Sequence, residues 1–171
     1  MDTENKLAWC EAGANAELAF VQKRLIDIGL DGYINPAKES DVYTHDMVMR
    51  FPADLKTVRT PLFKAMDLYG IDPQYAVTFN LKDMRRYKEL YPNIIVIFDV
   101  NWGALHWTDW TGKTYTVQPM HKTYGGFIGD IRNAVLACGS HVIKYKRRVD
   151  DDQGNAKESF VFDVRRLHQL G

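Results

Sequence analysis

The sequence predicts an α/β protein, because two amphipathic helical segments accompany one short, continuously apolar strand. Apolar residues recur at helical spacing between residues 14 and 28, and again over residues 81–91. Residues 93–100 instead read Asn-Ile-Ile-Val-Ile-Phe-Asp-Val, a continuous apolar run rich in β-branched residues. Such a run is typical of a central strand that is covered on both faces.

Length and composition predict a single domain spanning residues 1–171. Apolar residues make up 46% of the chain, as expected of a soluble globular protein with a real core. No apolar run reaches the roughly 18 residues of a membrane span, and the first residues, Met-Asp-Thr-Glu-Asn-Lys, lack the layout of a signal peptide. We therefore expect a cytoplasmic protein with no membrane partner, in which Cys10 and Cys138 are reduced thiols.

The balance of charges narrows the classes of function. Lys and Arg together number 22, as do Asp and Glu, so the formal net charge is zero. A protein that coats nucleic acid without specificity needs a strongly positive surface, which disfavours that class here. A local basic patch stays compatible with this balance, because an acidic metal site elsewhere would mask its charge in the total.

The first helix is predicted from Ala14 to Ile28, and Gly29 is its stop signal. Glu17 lies one turn before Val21 and stands at the edge of the buried stripe, so it is predicted to be half-buried. A first-turn Glu would also complement the helix dipole. A functional and a structural role for this acid both stay open at this point.

Residues 45–57 carry two acids and a lysine among residues that suit a packed strand. Asp is depleted from strands, so Asp46 and Asp54 oppose local preference, as residues do where a chain serves a function. Pro52 cannot donate to a strand ladder and marks a turn, which predicts a hairpin here. The two-residue period of the second strand places Asp54 and Lys56 on one face and the intervening leucine on the other.

The rest of the chain continues to alternate helices with strands. Asn80 is predicted to cap a helix that Pro92 terminates, and the polar run of residues 150–155 predicts a turn between two C-terminal strands. The remaining predicted elements are one or two helical turns over residues 62–69, a helix over 81–91, a strand over 93–100, a strand over 114–118, a helix over 127–137 and a hairpin of strands 140–149 and 159–164.

Two aspartates that converge on one face form a hard, oxygen-rich site of the kind that Mg²⁺ or Mn²⁺ prefers. A lysine beside them can orient the attacking water and stabilise charge on a phosphate. Its pKa is pulled two ways, because burial lowers it and neighbouring carboxylates raise it. The reaction that this combination favours is metal-assisted attack of water on a phosphodiester.

The same residues resemble a known signature. Glu17 on a helix, then Asp46, then Asp54-Leu55-Lys56, is similar to the motif of the PD-(D/E)XK nuclease superfamily, in which an acid precedes an acid-x-lysine on the next strand. The resemblance implies a restriction-endonuclease-like core of helix, three strands, helix and strand over about residues 14–100. It implies a central mixed sheet, to which residues 101–171 add an extension ending in a C-terminal β-hairpin.

The resemblance also implies a role for each residue of the motif. Asp46 and Asp54 would bind Mg²⁺ or Mn²⁺, and the carbonyl of Leu55 would be a further ligand. Lys56 would position the nucleophilic water, and Glu17 would support a metal or its water.

Two alternatives depart from this assignment. The first acid of the signature often follows a proline, whereas His45 precedes Asp46, so Asp41 competes for that position. His45-Asp46 also matches the dipeptide of the metal-dependent HD phosphohydrolases. In that family the ligands lie on helices and a histidine precedes the dipeptide, whereas no histidine precedes His45 in this chain.

Basic residues in two places are candidates for contact with nucleic acid. Phosphate contacts position a duplex without reading its sequence. A charged helix face can equally be a solvated surface, and the acidic turn after residue 149 can neutralise the C-terminal cluster. The candidates are Arg85 and Arg86 on the helix, with Lys82 beside them, and Lys144, Lys146, Arg147 and Arg148 on a C-terminal strand.

The sequence therefore predicts a metal-dependent nuclease, most simply an endonuclease, that hydrolyses DNA in preference to RNA. Stand-alone proteins of this size and pattern resemble those carried by phages and other mobile elements, which is an analogy of fold. The alternative is a catalytically inactive module of the same fold that binds nucleic acid or a protein. A homodimer also stays open, because many relatives pair to cut two strands.

Overall fold

A computed structural model of the protein describes residues 6–41, 43–145 and 158–170. The chain is α/β, as predicted, and contains a mixed sheet together with antiparallel sheets. It divides into two compact units, Met1–Phe51 and Pro52–Gly171. That these units form one domain stays a prediction. No described helix has both the length and the apolar character needed to cross a bilayer.

The first unit combines an N-terminal helix with a two-stranded antiparallel sheet. The helix α1 (Lys6–Ala19) continues through a π-helical turn (Phe20–Arg24) into α2 (Leu25–Asp27), so it begins well before the predicted start. It ends where predicted, at Gly29, whose φ of 71° is left-handed and suits glycine. The remaining elements are β1 (Asp31–Ile34), a 3₁₀ helix (Pro36–Glu39) and β2 (Met47–Arg50), which pairs with β1.

The second unit is built on two sheets. The strands are β3 (Ala53–Val58), β4 (Ala76–Asn80), β5 (Ile95–Asn101), β6 (His106–Thr108), β7 (Thr114–Thr116), β8 (His121–Phe127), β9 (Val142–Lys144), β10 (Glu158–Asp163) and β11 (His168–Gln169). The mixed sheet has the order β11-β8-β5-β3, with β3 parallel to β5 and the other pairs antiparallel. The second sheet is antiparallel, in the order β4-β10-β9, and β6 with β7 forms a separate hairpin.

Helices α3 (Ala65–Tyr69), α4 (Leu81–Leu90) and α5 (Ile128–Ala137) complete this unit, together with a 3₁₀ turn (Val164–Arg166). The two sheets share one core, because β5 contributes fully buried side chains that meet those of β4 and β10. The ring of Phe98 lies 6.2 Å from that of Phe79 and 5.6 Å from that of Phe162, both edge-on. Edge-to-face packing of this kind is favourable for aromatic rings.

Most predicted elements of the second unit are confirmed. Asn80 caps α4, and its side chain accepts a hydrogen bond from the Lys82 backbone N–H at 2.8 Å. The apolar run is β5, which lies between β3 and β8 in the sheet. The C-terminal hairpin is confirmed in its strands, because β9 pairs with β10, whereas its predicted turn lies outside the described residues.

The predicted hairpin between β2 and β3 is wrong. β2 pairs with β1, and β3 pairs in parallel with β5. Only Phe51 and Pro52 separate the two strands, and the turns that close two-residue hairpins need a positive φ at the first central residue or at both. Pro52 is locked at negative φ, and Ser140 is the one non-glycine residue with a positive φ among those described. The link therefore cannot close a tight hairpin.

Asp109 organises the turn between β6 and β7. Its Oδ1 accepts hydrogen bonds from the Thr111 hydroxyl at 2.6 Å and from the Thr111 backbone N–H at 2.9 Å. Its Oδ2 lies 2.9 Å from the ammonium of Lys64. The Thr111 hydroxyl and then the Lys64 ammonium hold the pKa of Asp109 well below its usual range. The turn presents Trp110, which is 93% exposed.

The Asp109→Asn substitution should lower the thermal stability of the protein and remove part of its acid sensitivity. A depressed carboxyl pKa contributes stability that is present above the ordinary pKa near 3.8 and is lost as pH falls through the folded value. Loss of the charged acceptor should lower the melting temperature at pH 7 by roughly 2–4 °C. Thermal unfolding by circular dichroism from pH 2 to 7 checks this. An equal melting temperature at pH 7 would contradict it.

Candidate active site

The central pair of the candidate site lies on the edge strand of the mixed sheet. In the parallel ladder, Asp54 is opposite Val96 and Lys56 is opposite Phe98, so both side chains point to the face that carries the core. Leu55 points the other way, and its side chain is 61% exposed. The predicted two-residue alternation along this strand is therefore confirmed.

A second carboxylate, whose sequence context does not indicate a function, meets this pair from α4. Asp83 stands in the first turn of that helix and is 9% exposed. The Nζ atom of Lys56 lies 2.8 Å from Asp54 Oδ2 and 2.9 Å from Asp83 Oδ2. Asp83 is the third residue after Asn80, which caps α4, and an acid at this position is favoured by the helix dipole. Because this role explains the acid, the sequence around Asp83 does not indicate a further one.

Aromatic and basic side chains surround this cluster. The Lys56 ammonium lies 5.7 Å from the centre of the Phe79 ring, a cation–π distance. Arg86 donates hydrogen bonds to Asp83 Oδ1 at 2.8 Å and to the Tyr87 hydroxyl at 3.0 Å. The cluster thus contains two carboxylates and two cations, so its formal charges balance.

The pKa of Lys56 shows how this environment acts on the ammonium. Burial opposes the charged form and alone would lower the pKa, but the Asp54 and Asp83 carboxylates beside the ammonium outweigh it and raise the pKa above its usual value. Lys56 is therefore a cation at neutral pH. A charged lysine can donate hydrogen bonds and stabilise negative charge, whereas it cannot accept a proton.

The Oδ2 oxygen of Asp54 is buried and incompletely satisfied. It lies within ion-pair distance of Lys56, yet that approach lacks the direction of a hydrogen bond, and this oxygen accepts no well-directed hydrogen bond from the described residues. Buried carboxylate oxygens are normally paired, so such an atom calls for an explanation. A hard divalent cation is one group that would satisfy it.

In the first unit, a single lysine joins the two acids of the motif found there. The Nζ atom of Lys38 lies 2.5 Å from Glu17 Oε2 and 2.7 Å from Asp46 Oδ1. Glu17 is half-buried, as predicted from its place on the helix. The hydrogen bonds to Asp46 and then to Glu17 raise the pKa of Lys38. The structure thus brings Glu17 and Asp46 together through Lys38, a residue whose sequence context does not indicate a function.

Asn35 fixes the loop geometry behind this second cluster. Its side chain accepts a hydrogen bond from the Ala37 backbone N–H at 3.1 Å and so caps the 3₁₀ helix that carries Lys38. Its amide nitrogen donates to the His45 carbonyl at 3.0 Å, and its backbone N–H donates to the Asp46 carbonyl at 2.9 Å. The buried Asn35 therefore connects the backbone of the turn that carries Lys38 with the backbone of the loop that carries Asp46.

Asp41, the alternative to Asp46, makes a different side-chain contact. Its carboxylate accepts a hydrogen bond from the Tyr43 backbone N–H at 2.9 Å, which closes a local turn. Among the described contacts, it is Asp46 that shares a lysine with Glu17. The assignment of Asp46 as the first acid of the motif stays a prediction.

The predicted nucleic-acid contacts are placed only in part. Arg85 is exposed on α4, whereas Arg86 is engaged with Asp83. Lys144 lies 3.5 Å from Glu158 across the β9–β10 ladder and is mostly exposed. Contact between these residues and DNA stays a prediction. Lys146, Arg147 and Arg148 lie outside the described residues.

The motif residues are divided between the two units, with Glu17 and Asp46 in the first and Asp54 and Lys56 in the second. Joint binding of one metal by Asp46 and Asp54 therefore stays a prediction. No three His, Cys, Asp or Glu side chains converge into a ready metal site within the described ranges. The carboxylates nevertheless fit Mg²⁺ or Mn²⁺ chemically, because these ions need only one or two protein carboxylates besides water and phosphate.

Comparison of the chain with protein-family models, with curated proteins and with solved structures found no match.

Proposed function

We propose that the protein is a Mg²⁺- or Mn²⁺-dependent nuclease with a restriction-endonuclease-like core, which hydrolyses phosphodiester bonds of DNA. The observation that carries this proposal is the edge-strand cluster, in which Lys56 is held charged between Asp54 and Asp83. Partly buried, mutually oriented charged groups of this kind are a common mark of an active site. The acid-x-lysine spacing of Asp54 and Lys56 on one strand, which resembles that of the PD-(D/E)XK motif, supports the proposal.

Each residue has a task that its geometry supports. Asp54, with its incompletely satisfied buried oxygen, would hold the cation, and Glu17 and Asp46 are the further carboxylates of the motif. When bound, a divalent cation supplies positive charge that polarises the phosphate and favours deprotonation of water. The Lys56 ammonium donates hydrogen bonds that orient the attacking water and stabilise charge on the phosphate oxygens. Asp83 orients that ammonium from the other side.

The same ion pairs also suit a second candidate, a non-catalytic binding module. Two carboxylates flank one partly buried lysine and balance its charge, and networks of this kind also occur as purely structural features. In that case the cluster would only join α4 to the sheet edge. Exposed cations such as Arg85 would then bind nucleic acid without any hydrolysis.

The Asp54→Asn substitution separates the two functions. The native protein should convert supercoiled plasmid to nicked or linear forms with Mg²⁺ or Mn²⁺ and should do nothing in EDTA. Asn keeps the shape and removes the charge that holds the cation, so cleavage should fall by about 10²-fold or more. The measurement is the initial rate on plasmid, on linear duplex and on single-stranded DNA.

Native protein that binds DNA and cuts none of these substrates would overturn the nuclease proposal in favour of the binding module. Circular dichroism of Asp54→Asn controls for its fold. The matched control for a change of charge at a carboxylate is Asp31→Asn, because Asp31 is exposed and pairs only loosely with Arg50, at 3.7 Å.

A further inference from the structure

Lys38 stands out because it occupies the space between two acids that the nuclease motif assigns to the metal centre. Its ammonium contacts both carboxylates at hydrogen-bond distance, although Glu17 comes from a helix and Asp46 from the loop before β2. The exposed fraction of the Lys38 side chain is 29%, so the contact is partly shielded from solvent. A lysine in this position affects every other cation that approaches these oxygens.

The presentation of Lys38 is built into the backbone. Pro36 occupies the first turn of the 3₁₀ helix, and Asn35 caps that turn while also hydrogen-bonding the loop that carries Asp46. Most surface ion pairs contribute little, because two long side chains must be immobilised to form them. Here the capped turn and the tied loop restrict the backbone on both sides, so the pairing is favoured before any ligand arrives.

We propose that Lys38 is a resident cation of the metal centre, which balances the charge of Glu17 and Asp46 and competes with the divalent metal for their oxygens. This inference rests on the proposed nuclease function. Lys38 thereby sets the metal concentration that the protein requires.

The reason is electrostatic. Two carboxylates that share one ammonium carry a net charge of −1, whereas without it they carry −2. A divalent cation is attracted more strongly to the second arrangement, and the oxygens that face Lys38 are then free of a bound donor. A neutral side chain at position 38 should therefore raise the affinity for metal.

A purely structural role predicts the opposite sign. If Lys38 only braces the two acids, its removal lets like charges separate, and the pair binds metal more weakly than before. The direction of the change in metal affinity therefore distinguishes a competitor from a brace, and the measurement does not depend on catalysis.

The test is isothermal titration calorimetry of the 171-residue chain with Mn²⁺ in the absence of DNA. It compares the dissociation constant for Mn²⁺ of the native protein with that of Lys38→Gln. We expect the dissociation constant to fall by about tenfold, as one screened charge interaction at close range implies. Lys38→Arg, which keeps the charge, should stay within about threefold of native. Lys23→Gln is the matched control, because Lys23 is exposed, lies in the same unit and has no ion pair among the described contacts.

Thermal unfolding supplies a second readout and a check on folding. Without metal, Lys38→Gln should melt at a lower temperature than native, and saturating Mn²⁺ should raise its melting temperature by more than it raises that of native, because tighter binding stabilises more. Unchanged or weaker Mn²⁺ affinity in a folded Lys38→Gln protein would overturn the proposal.

Failure of this inference is distinguishable from failure of the function. If native protein cuts DNA with metal and Asp54→Asn does not, while Lys38→Gln binds Mn²⁺ like native, then Lys38 is no competitor and the nuclease stands. If native protein neither binds Mn²⁺ nor cuts DNA, the nuclease proposal and the role of Lys38 are both overturned.

Discussion

Replacing Lys56 by alanine is expected to reduce metal-dependent cleavage of DNA by about 10²- to 10³-fold, the usual loss when one preorganised donor to a transition-state charge is removed. The ammonium is held by Asp54 and Asp83 and remains charged at neutral pH, so alanine removes both its hydrogen bonds and its charge. The measurement is the initial rate of plasmid cleavage at saturating Mg²⁺. DNA affinity, measured by fluorescence anisotropy with Ca²⁺ in place of Mg²⁺, should change by less than tenfold.

Two further variants make the outcome specific. Lys56→Arg keeps the charge but changes the donor geometry, so it should recover only part of the rate. Lys88→Ala is the matched control, because Lys88 is exposed on α4 and makes no ion pair among the described contacts. Cleavage by Lys56→Ala at the native rate would contradict a catalytic role for Lys56. The non-catalytic module predicts that DNA binding survives this change and that there is no cleavage to lose.

The largest effect on stability is expected for Phe98→Ala, at about 3–5 kcal/mol of the free energy of unfolding. Phe98 is fully buried, meets the rings of Phe79 and Phe162 edge-on, and lies beside Lys56 in the ladder. Loss of this ring opens a cavity where the two sheets share their core. Urea unfolding followed by circular dichroism measures the change.

Because whole domains are stable by only about 5–15 kcal/mol, this variant should be partly unfolded at 37 °C. Phe98→Leu, which fills more of the cavity, should lose less stability than Phe98→Ala. Leu136→Ala on α5 is the matched control, because that leucine is 56% exposed and its truncation should change stability by less than about 1 kcal/mol. A loss below about 1 kcal/mol for Phe98→Ala would show that the aromatic core is not the main support of the fold.

The parts of the fold that were predictable from sequence are those fixed by neighbouring residues. The cap at Asn80, the stop at Gly29 and the apolar run of β5 each combine a local signal with a local consequence, and all three are observed. Pairing between strands is a different matter, because hydrophobic alternation suits several partners equally. That is why the sequence predicts a hairpin of β2 with β3, although β2 pairs with β1 and β3 pairs with β5.

The candidate site shows the same division. The alternation along β3 identified Asp54 and Lys56 as neighbours on one face, and the position of Glu17 on its helix indicated a half-buried acid. Lys38 and Asp83 were not identified, because each has an ordinary local role, in a loop and in the first turn of a helix respectively. The contact of Lys38 with Glu17 joins residues 21 positions apart in sequence, and that of Asp83 with Lys56 joins residues 27 positions apart, so only tertiary structure reveals these two pairings.

The pairing of β4 with β10 has a consequence for the order in which the protein folds. Asn80 lies opposite Ser159 in this ladder, so the strand that ends at the cap of α4 obtains its partner from near the end of the chain. Contacts between residues so distant in sequence form slowly, since the entropy cost of closing a long loop precedes the favourable energy of the contacts. During synthesis, β4 cannot be paired until residues 158–163 have left the ribosome. The carboxylate of Asp83 should therefore reach its place beside Lys56 late, and under the proposed function a nascent chain should not cut DNA before β10 has paired with β4.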